Sequence, residues 1–442
     1  MKKLQRRAYS ALLVAICLLV GMGVYVWRFA VHGRDWANFT GNAAVYENGR
    51  VLTGTITDRN GLVLADIDDG QRVFNADETI RTACVHAVGD RERNIGTGAL
   101  TLFAEALSGY SPVTGLSAEG ATVALSIDAR LNAAAFAALA GRKGTVGVMD
   151  YTTGEIICMV SSPAFDPDVG IDPQDAQYDG AYLNRLISAA YTPGSTFKLV
   201  TLAAAIETIP DLYERRFTCN GSITVDGNQL NCTAVHGSQT IEQALANSCN
   251  CAFAELALEL GGDTLAKYAG QLGLTGRLTM DGTATAAGRF DAAADGSADL
   301  AWSGVGQATD LVCPLAMLRL SAAIAAGGTA AEPTVLLNGK TDTSNIMSIS
   351  TAEKLKAMMN YNVAAAYGPW NFPGLALCAK SGTAEVGDGT SHAWFTGFLN
   401  DEAHPWAFVV VIENGGSGAR NAGPVANAVL QKATELFDGA DK

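Results

Sequence analysis

The sequence predicts an α/β (α+β) protein whose main part holds one antiparallel sheet flanked by helices. Apolar runs typical of strands occur early in this part and return near its end, at residues 144–150, 155–162, 375–381, 393–399 and 406–412. Between the two sets, residues 195–324 are rich in alanine and leucine and mostly helical in pattern. We therefore expect strands that are distant in sequence to close one sheet, with the hairpin of 144–150 and 155–162 at its centre and a helical subdomain beside it.

Composition and charge limit the function classes. The chain has 442 residues, which is long enough for two or three domains and a large core. It is 48% hydrophobic and 17% charged, as expected of a globular protein. The formal net charge of −14 argues against a nucleic-acid partner, because such a chain offers no basic surface to a phosphate backbone.

The N-terminus has the pattern of a membrane anchor. Four cations stand within residues 1–7, and residues 8–27 carry no charge, a length that can cross the hydrocarbon core of a bilayer. A cleaved signal peptide is the alternative, but its apolar region is usually shorter and no A-x-A-like site follows here. The cations predict a cytoplasmic tail at 1–7, a single transmembrane helix at 8–28 and an extracellular or periplasmic remainder.

Two local patterns divide the remainder into domains. Between residues 54 and 65, Thr-Ile-Thr and Leu-Val-Leu flank Asn60-Gly61, a dipeptide typical of hairpin turns. Just after residue 120, a strand-like segment precedes a helical one. We therefore expect a small mixed membrane-proximal domain, the pedestal, at 29–120 and a main domain at 121–442. Near its end, Pro424 begins a helical pattern, since proline is favoured in a first helical turn.

Residues 191–198, Tyr-Thr-Pro-Gly-Ser-Thr-Phe-Lys, contain the first candidate for chemistry. A Pro-Gly pair precedes Ser195 and an apolar helical run follows, so Ser195 is expected at a helix N-terminus, where backbone N–H groups favour negative charge. Lys198 lies three residues on, on the same helix face. A desolvated Lys198 would activate Ser195 as a nucleophile, although most strings of this kind are ordinary solvated helix starts.

Two further polar clusters stand inside apolar surroundings. The first is Ser248-x-Asn250, within Ala-Asn-Ser-Cys-Asn-Cys-Ala. The second is Lys380-Ser-Gly-Thr383, at the end of a predicted strand. Each alone is common in loops or at strand ends. In this order, S-x-x-K, S-x-N and K-[ST]-G resemble the motif set of penicilloyl serine transferases, enzymes that react with β-lactams.

The chain as a whole is similar to class B penicillin-binding proteins, the monofunctional D,D-transpeptidases of peptidoglycan synthesis in cell elongation, division and sporulation. The likeness covers nearly the whole length and includes Asp58-Arg-Asn-Gly61, Ser126-Ile-Asp128, Thr153-Gly-Glu155, Asn184-Arg185, Gly306-Gln307 and His392-Ala-Trp-Phe-Thr-Gly397. The resemblance implies a β-lactamase/transpeptidase-like domain, in which an antiparallel sheet is flanked by helices and joined by a helical subdomain, behind a transmembrane helix and a small mixed pedestal.

Cleavage of a D-Ala–D-Ala amide needs a nucleophile, a base, a proton for the leaving amine and stabilisation of an oxyanion. The resemblance implies that Ser195 attacks the penultimate D-Ala. Neutral Lys198 would take its proton, helped by desolvation and by the neighbouring cation Lys380. Ser248 would relay a proton to the departing D-Ala, and Asn250 would hold both Lys198 and the substrate amide.

We number the three motifs in chain order: Ser195-x-x-Lys198 is the first, Ser248-x-Asn250 the second and Lys380-Ser-Gly-Thr383 the third. The third motif is expected to bind substrate. Lys380, Ser381, Gly382 and Thr383 would form the site for the terminal carboxylate of a donor stem peptide, and the N–H groups of Ser195 and Thr383 would form the oxyanion hole. The amine of a second stem peptide would then resolve the acyl-enzyme and give the crosslink. β-Lactams mimic the donor and would acylate Ser195. This chemistry requires no cofactor.

The resemblance also allows functions other than transpeptidation, and it implies a protein partner. A D,D-carboxypeptidase or serine β-lactamase of the same fold would admit water to the acyl-enzyme, but the anchor and pedestal favour a crosslinking enzyme. A non-catalytic penicillin sensor or scaffold would be expected to carry further transmembrane segments or to lack a motif residue. Class B members typically work with a multi-pass SEDS-type glycosyltransferase, which is therefore the expected protein partner.

The nine cysteines are spaced irregularly and do not indicate a simple disulfide framework. Cys219, Cys232, His236 and Cys249 are separated by twelve, three and twelve residues, which suits a tetrahedral Cys₃His zinc site. Some rod-elongation relatives place a zinc beside the active site, using a His and the Cys of the second motif. A Cys219–Cys232 disulfide or unconnected thiols are the alternatives. We expect surface positions for three other histidines, His32, His86 and His404.

Overall fold

The computed structural model describes residues 2–37, 54–69, 71–108, 110–111, 115–116, 121–387 and 389–439. The α-helices are α1 Lys2–Ala37, α2 Glu78–Ala83, α3 Val85–Val88, α4 Ala99–Leu102, α5 Ala104–Ser108, α6 Ala129–Leu139, α7 Arg185–Ser188, α8 Lys198–Thr208, α9 Ile241–Ala246, α10 Asn250–Leu260, α11 Gly262–Gln271, α12 Ala298–Ser303, α13 Pro314–Ala325, α14 Ile349–Asn362 and α15 Gly423–Asp438. The strands are β1 Thr55–Thr57, β2 Val63–Asp68, β3 Gln71–Phe74, β4 Tyr110–Ser111, β5 Gly115–Leu116, β6 Thr122–Ala124, β7 Gly144–Asp150, β8 Ile156–Ser162, β9 Phe217–Cys219, β10 Ser222–Val225, β11 Asn228–Asn231, β12 Gly237–Gln239, β13 Thr279–Met280, β14 Thr283–Ala284, β15 Thr329–Ala331, β16 Thr343–Asn345, β17 Leu377–Glu385, β18 Ser391–Leu399 and β19 Trp406–Ile412.

The main sheet has five antiparallel strands in the order β17-β18-β19-β7-β8. Strand β19 pairs with β7, for example Val409 with Gly147, so strands from the two ends of the main domain close one sheet as predicted. Alternate residues of β19 face opposite sides, because successive side chains of a strand point to opposite faces. Phe408 and Val410 pack with α6 and α15, whereas Val409 and Val411 pack with α13. The sheet therefore lies between two helical layers, which confirms the predicted fold class.

The sequence pattern predicts that the hairpin of β7 and β8 is central in the sheet, and for β8 this position is wrong. Strand β8 is the far edge, opposite β17. Its residues are apolar for a reason other than a central position, because neighbouring segments cover this edge. Thr334 O accepts a hydrogen bond from Ile156 N at 2.8 Å, and Asp128 N donates to Ile157 O at 3.0 Å. An edge strand covered in this way is buried along its length, as a central strand would be.

The helical subdomain is organised around α8, which follows the predicted nucleophile. Residues 198–205 of this helix are all buried. An alanine-rich helix that is apolar all round is typical of a core position, because small side chains let neighbouring helices approach on every face. Helices α10, α11 and α14 pack around it. This burial also carries the Lys198 side chain into the core at the start of the helix.

The part of the chain that follows α1 contains the predicted hairpin of β1 and β2, within a four-stranded sheet of order β3-β2-β1-β6. The carboxylate of Asp58 accepts hydrogen bonds from Asn60 N at 2.8 Å and from Ala129 N at 3.2 Å. Asn60 Nδ2 in turn donates to Asp128 Oδ2 at 2.8 Å. The Asp-Arg-Asn-Gly turn thus ties this sheet to the N-terminus of α6. The predicted boundary at residue 120 lies outside the described residues, and β6, which follows it, pairs with β1.

Helix α1 contains an apolar span of 29 residues, Gln5–Gly33, and its most apolar stretch is not buried against the rest of the protein. The length and composition of this span are sufficient to cross a membrane. The helix extends beyond the predicted span of 8–28 at both ends.

Two of the histidines expected at the surface are buried, so that expectation is wrong for them. His86 is fully buried, with Nε2 2.8 Å from Ala181 O, and burial lowers its pKa to about 4. His404 is 9% exposed and lies between Asp401 and Asp438. Tertiary packing rather than local composition decides these positions.

Candidate active site

The nucleophile loop packs against β17 through backbone contacts. A 3₁₀ turn, Gly194–Thr196, leads into α8, and Gly194 has φ +53°. Gly194 N donates to Gly306 O at 2.8 Å, and a Cβ atom on Gly194 would lie only 2.7 Å from Thr383 O. A larger residue would therefore push the loop off the strand. Ser195 sits at the N-terminal side of α8, as predicted, with its backbone close to the third motif.

Lys198 is fully buried, and its partners define its chemistry. Nζ donates to Ser248 O at 2.7 Å and to Asn250 Oδ1 at 2.8 Å, and it lies 3.0 Å from Ser195 Oγ. A neutral amine has two N–H groups and one lone pair. With both N–H groups given to the two acceptors, the lone pair is left for the hydroxyl proton of Ser195. Burial lowers the pKa of Lys198 to about 7, so the neutral form is accessible.

Ser248 adopts a backbone conformation that non-glycine residues rarely use, with φ +50°. It follows α9, where Ser248 N donates to Leu245 O at 3.0 Å. In this conformation both its carbonyl and its hydroxyl reach the lysines, with Oγ 3.3 Å from Lys198 Nζ and 3.0 Å from Lys380 Nζ. Strained backbone of this kind is frequent at functional sites.

Lys380 is the second fully buried lysine of the site. Its Nζ donates to Ser248 Oγ and, at 2.8 Å, to Ser381 O. Burial, and then the charge of Lys198, hold the pKa of Lys380 well below its usual range. At Lys198 burial is the leading cause of the lowered pKa, in line with the desolvation expected from the sequence. Two buried amines that share one hydroxyl contact favour at most one charge.

One cavity of about 430 Å³ joins the three motifs, a size that suits a small ligand. Its lining includes the predicted residues Ser195, Ser248, Asn250, Ser381 and Thr383. The two lysines and Gly382 lie behind this lining rather than in it. Residues that the sequence interpretation did not select for the site also line the cavity: Asn231, Thr233, Trp302, Val305, Gln307 and Glu385. Thr233, Val305 and Gln307 lie in loops, Trp302 lies in α12, and Asn231 and Glu385 end β11 and β17. Of these residues, only Gln307 belongs to a segment quoted for the family likeness, and no role was assigned to it.

A further residue missed by the sequence interpretation is Tyr367, which ends a π-helical segment, Val363–Tyr367, after α14. Ser381 N donates to Tyr367 Oη at 2.8 Å, and Oη lies 3.1 Å from Ser381 Oγ. The sequence gives no signal of this contact. Tyr367 stands outside the third motif and follows a run of alanines that carries no functional pattern.

The four residues predicted as zinc ligands lie together beside the cavity. Their ligand atoms are all within 4.8 Å of one another. The Sγ of Cys232 is 3.5 Å from His236 Nδ1 and 3.8 Å from Cys249 Sγ. Cys219 and Cys232 are free thiols, so the alternative of a disulfide between them is not what the structure contains. The sequence interpretation missed a fourth sulfur beside this set, Cys251, whose Sγ lies 3.6 Å from Cys219 Sγ.

Comparisons with known proteins identify the family of this chain. A family profile described as the penicillin binding protein transpeptidase domain matches residues 144–433, more than half of the chain. The chain is 29% identical over 367 residues to peptidoglycan D,D-transpeptidase PbpA of Mycobacterium tuberculosis, covering 73% of this chain and 74% of that protein. It is also 29% identical over 306 residues to stage V sporulation protein D of Bacillus subtilis, covering 64% of this chain and 47% of that protein.

Solved structures share the fold. A ceftriaxone acyl-enzyme complex of penicillin-binding protein A from M. tuberculosis superposes with a TM-score of 0.75 at 26% identity, over 87% of this chain and 99% of that chain. The D,D-transpeptidase domain of a peptidoglycan glycosyltransferase from Eggerthella lenta gives a TM-score of 0.74 at 26% identity, over 88% and 99% of the two chains.

Proposed function

The chain belongs to the penicillin-binding protein transpeptidase family, as a class B member, and we propose that Ser195 carries its serine D,D-transpeptidase chemistry. The observation that carries this proposal is the set of contacts at Lys198. Both N–H groups of the neutral amine have acceptors in Ser248 and Asn250, while Ser195 Oγ lies 3.0 Å from the amine nitrogen, whose lone pair remains available. This is the arrangement that a general base for a serine nucleophile requires.

In acylation, Ser195 Oγ attacks the carbonyl carbon of the penultimate D-Ala as its proton passes to Lys198. The C–O bond to the enzyme forms, the amide C–N bond breaks, and the terminal D-Ala leaves as an amine. Ser248 Oγ, which contacts both lysines, is placed to hand the proton from Lys198 to that amine. The backbone N–H groups of Ser195 and Thr383 stabilise the oxyanion in between.

The donor carboxylate binds at the third motif. Ser381 and Thr383 face the cavity, and the Lys380 amine lies directly behind Ser381. An arriving carboxylate favours the ammonium form of Lys380, which burial disfavours in the free enzyme. Gly382 keeps the strand close to the nucleophile loop, since a Cβ there would lie 2.7 Å from Pro193 O. The amine of a second stem peptide then attacks the acyl carbonyl, which releases Ser195 and forms the crosslink.

Labelling with a fluorescent penicillin tests the nucleophile. Detergent-solubilised full-length protein should form a stable covalent adduct, and Ser195→Ala should form none. Ser188→Ala, a serine at the end of α7 that lies outside the cavity lining, is the matched control and should label like wild type. Equal labelling of wild type and Ser195→Ala would refute the assignment.

We also propose that Cys219, Cys232, His236 and Cys249 hold a structural zinc. The donor set fits, because three thiols and an imidazole lie within 4.8 Å of one another and four such ligands form a closed structural site. Asn250 N donates a hydrogen bond to Cys232 Sγ at 3.2 Å, which favours the thiolate, the form that binds metal. Zinc there would supply no chemistry and would tie β9, the loop after β11 and the second motif together.

Metal analysis of the purified full-length protein tests this site. Wild type should contain about one zinc per chain, and His236→Ala should contain much less and melt at a lower temperature. Val235→Ala is the matched control, since the neighbouring Val235 side chain is 71% exposed. Near-zero zinc in wild type, unchanged in His236→Ala, would remove the proposal.

The remaining proposals concern the membrane and the domains. We propose that residues 1–7 are cytoplasmic, that 8–28 cross the cell membrane once, and that the pedestal at 29–120 holds the transpeptidase domain at 121–442 outside. The apolar span of α1 and the cations near its start support this orientation.

We also propose that a SEDS-type glycosyltransferase contacts the anchor and pedestal. The orientation itself has a direct test. Protease added to intact cells should remove the main domain, and full protection would contradict the orientation.

A further inference from the structure

Strand β17 is an edge of the main sheet, so half of its backbone groups face away from β18. Asn400 N donates to Ala376 O, which sets the alternation: even-numbered residues bond to β18, and residues 379, 381 and 383 turn their N–H and C=O groups outward. An edge of this kind is open to any extended chain, including a substrate peptide, at several positions.

Within the protein, three of the four outward backbone groups of residues 379 and 381 already have partners, and Ala379 is fully buried. Asn362 Nδ2 donates to Ala379 O at 3.1 Å. Ser381 N donates to Tyr367 Oη at 2.8 Å, and Lys380 Nζ donates to Ser381 O at 2.8 Å. In the described part of the chain, the N–H and C=O of Thr383 have no such protein partner. The edge therefore offers a peptide its first free pairing position at Thr383.

Tyr367 is held rigidly at this edge. Its ring packs edge-on against Phe395, with centroids 5.4 Å apart, and Asn371 Nδ2 donates to its carbonyl at 2.7 Å. Because Oη accepts the Ser381 N–H, the phenol O–H is left to donate to Ser381 Oγ at 3.1 Å. Burial raises the pKa of Tyr367, so the phenol keeps this proton. With a lone pair of Oγ engaged, the Ser381 hydroxyl proton is free to point into the cavity.

We propose that Tyr367 is a positioning residue for substrate: through its two hydrogen bonds to Ser381, it makes the Ser381 hydroxyl a donor to the substrate carboxylate and keeps the Ser381 N–H from pairing with a peptide. This inference rests on the proposed function, because it assigns Ser381 to carboxylate binding. Tyr367 itself does not touch the reacting atoms. It acts by fixing the group that contacts the substrate.

The test compares two β-lactams that differ in the carboxylate. Second-order acylation rate constants are measured on solubilised full-length protein for benzylpenicillin and for its methyl ester, which lacks the anion. Tyr367→Phe keeps the ring and removes the hydroxyl. It should lower the acid-to-ester ratio of rate constants about tenfold relative to wild type, as expected for loss of a hydrogen bond to a charged group. A purely structural role would lower both rate constants together and leave the ratio unchanged, which would overturn the proposal.

Three further variants sharpen the result. Tyr361→Phe removes a hydroxyl from a 40% exposed tyrosine of α14 and should leave the ratio at the wild-type value. Ser381→Ala should lower the ratio as well, and adding Tyr367→Phe to it should lower the ratio little further, because both act through one hydroxyl. Fully additive effects would overturn the proposal. Partial unfolding cancels in the ratio, since both probes report on the same folded fraction. Wild type that neither probe acylates would overturn the proposed function and this inference together.

Discussion

Lys198 and Lys380 are both fully buried in one site, yet their surroundings prepare them for opposite tasks. Lys198 has two strong acceptors, Ser248 O and Asn250 Oδ1, which use both N–H groups of its neutral form. Lys380 contacts Ser248 Oγ and Ser381 O and faces the repulsion of Lys198. Lys198 can therefore direct its remaining lone pair at Ser195 Oγ, 3.0 Å away, without substrate, whereas Lys380 becomes favourably charged only when an anion arrives. Burial alone does not assign a role, because the partners decide which protonation state is useful.

The sharpest way to break this comparison is to remove the base. Lys198→Ala should lower the acylation rate constant for benzylpenicillin about 10³-fold, because general-base catalysis typically contributes about 10²- to 10⁴-fold. Stopped-flow or time-course labelling measures the effect. The control is Lys354→Ala, a lysine of α14 that lies over the Tyr213 ring. Retention of acylation within about tenfold of wild type would mean that another group takes the proton.

Removal of the second lysine should have a smaller and more selective effect. Lys380→Ala should lower acylation by benzylpenicillin about 10²-fold, since it removes the cation that meets the carboxylate. The methyl ester should lose much less, because it brings no charge to the site. If acid and ester lose equally, Lys380 acts in proton transfer or in folding rather than in carboxylate binding.

The pH dependence separates the two lysines further. Burial lowers the pKa of Lys198 to about 7, so the amine is protonated below that pH and has no lone pair for Ser195. Acylation of wild type should therefore rise with pH through about 7 and level off above it, falling about tenfold for each pH unit on the acid side. Rates measured from about pH 5.5 to 9, with the melting temperature as a check on folding, would show this limb. A flat profile would contradict a titrating Lys198.

The smallest expected effect is a shift of the acid side of this pH profile. Asn250→Asp places a carboxylate where Asn250 Oδ1 now lies, 2.8 Å from Lys198 Nζ. A neighbouring negative charge favours the ammonium form, so the midpoint of the profile should move to higher pH by about one unit or more. Wild-type and variant profiles under the same conditions measure it. An unchanged midpoint would place the titration on another group.

Much of the architecture could be predicted because it depends on local pattern. The apolar strands at 144–150 and 406–412 and the Asn60-Gly61 turn each carry their own signal. The same holds for the three motifs, which the structure brings to one cavity. Prediction failed where a residue or strand is buried by segments that lie elsewhere in the chain. Segments distant in sequence cover β8 at its edge, and His86 is enclosed by residues around Ala181.

Residue types and their order were enough to specify the chemistry: a serine with a lysine one turn on, a Ser-x-Asn pair, a Lys-Ser-Gly-Thr strand and a cysteine–histidine set. These side chains have few other uses together, so they indicate the class of reaction without a fold. The three-dimensional arrangement was needed to show which lysine contacts the Ser195 hydroxyl, that Ser248 takes a left-handed backbone, and that Tyr367 holds Ser381. These features depend on distances between segments far apart in the chain, which no local pattern encodes.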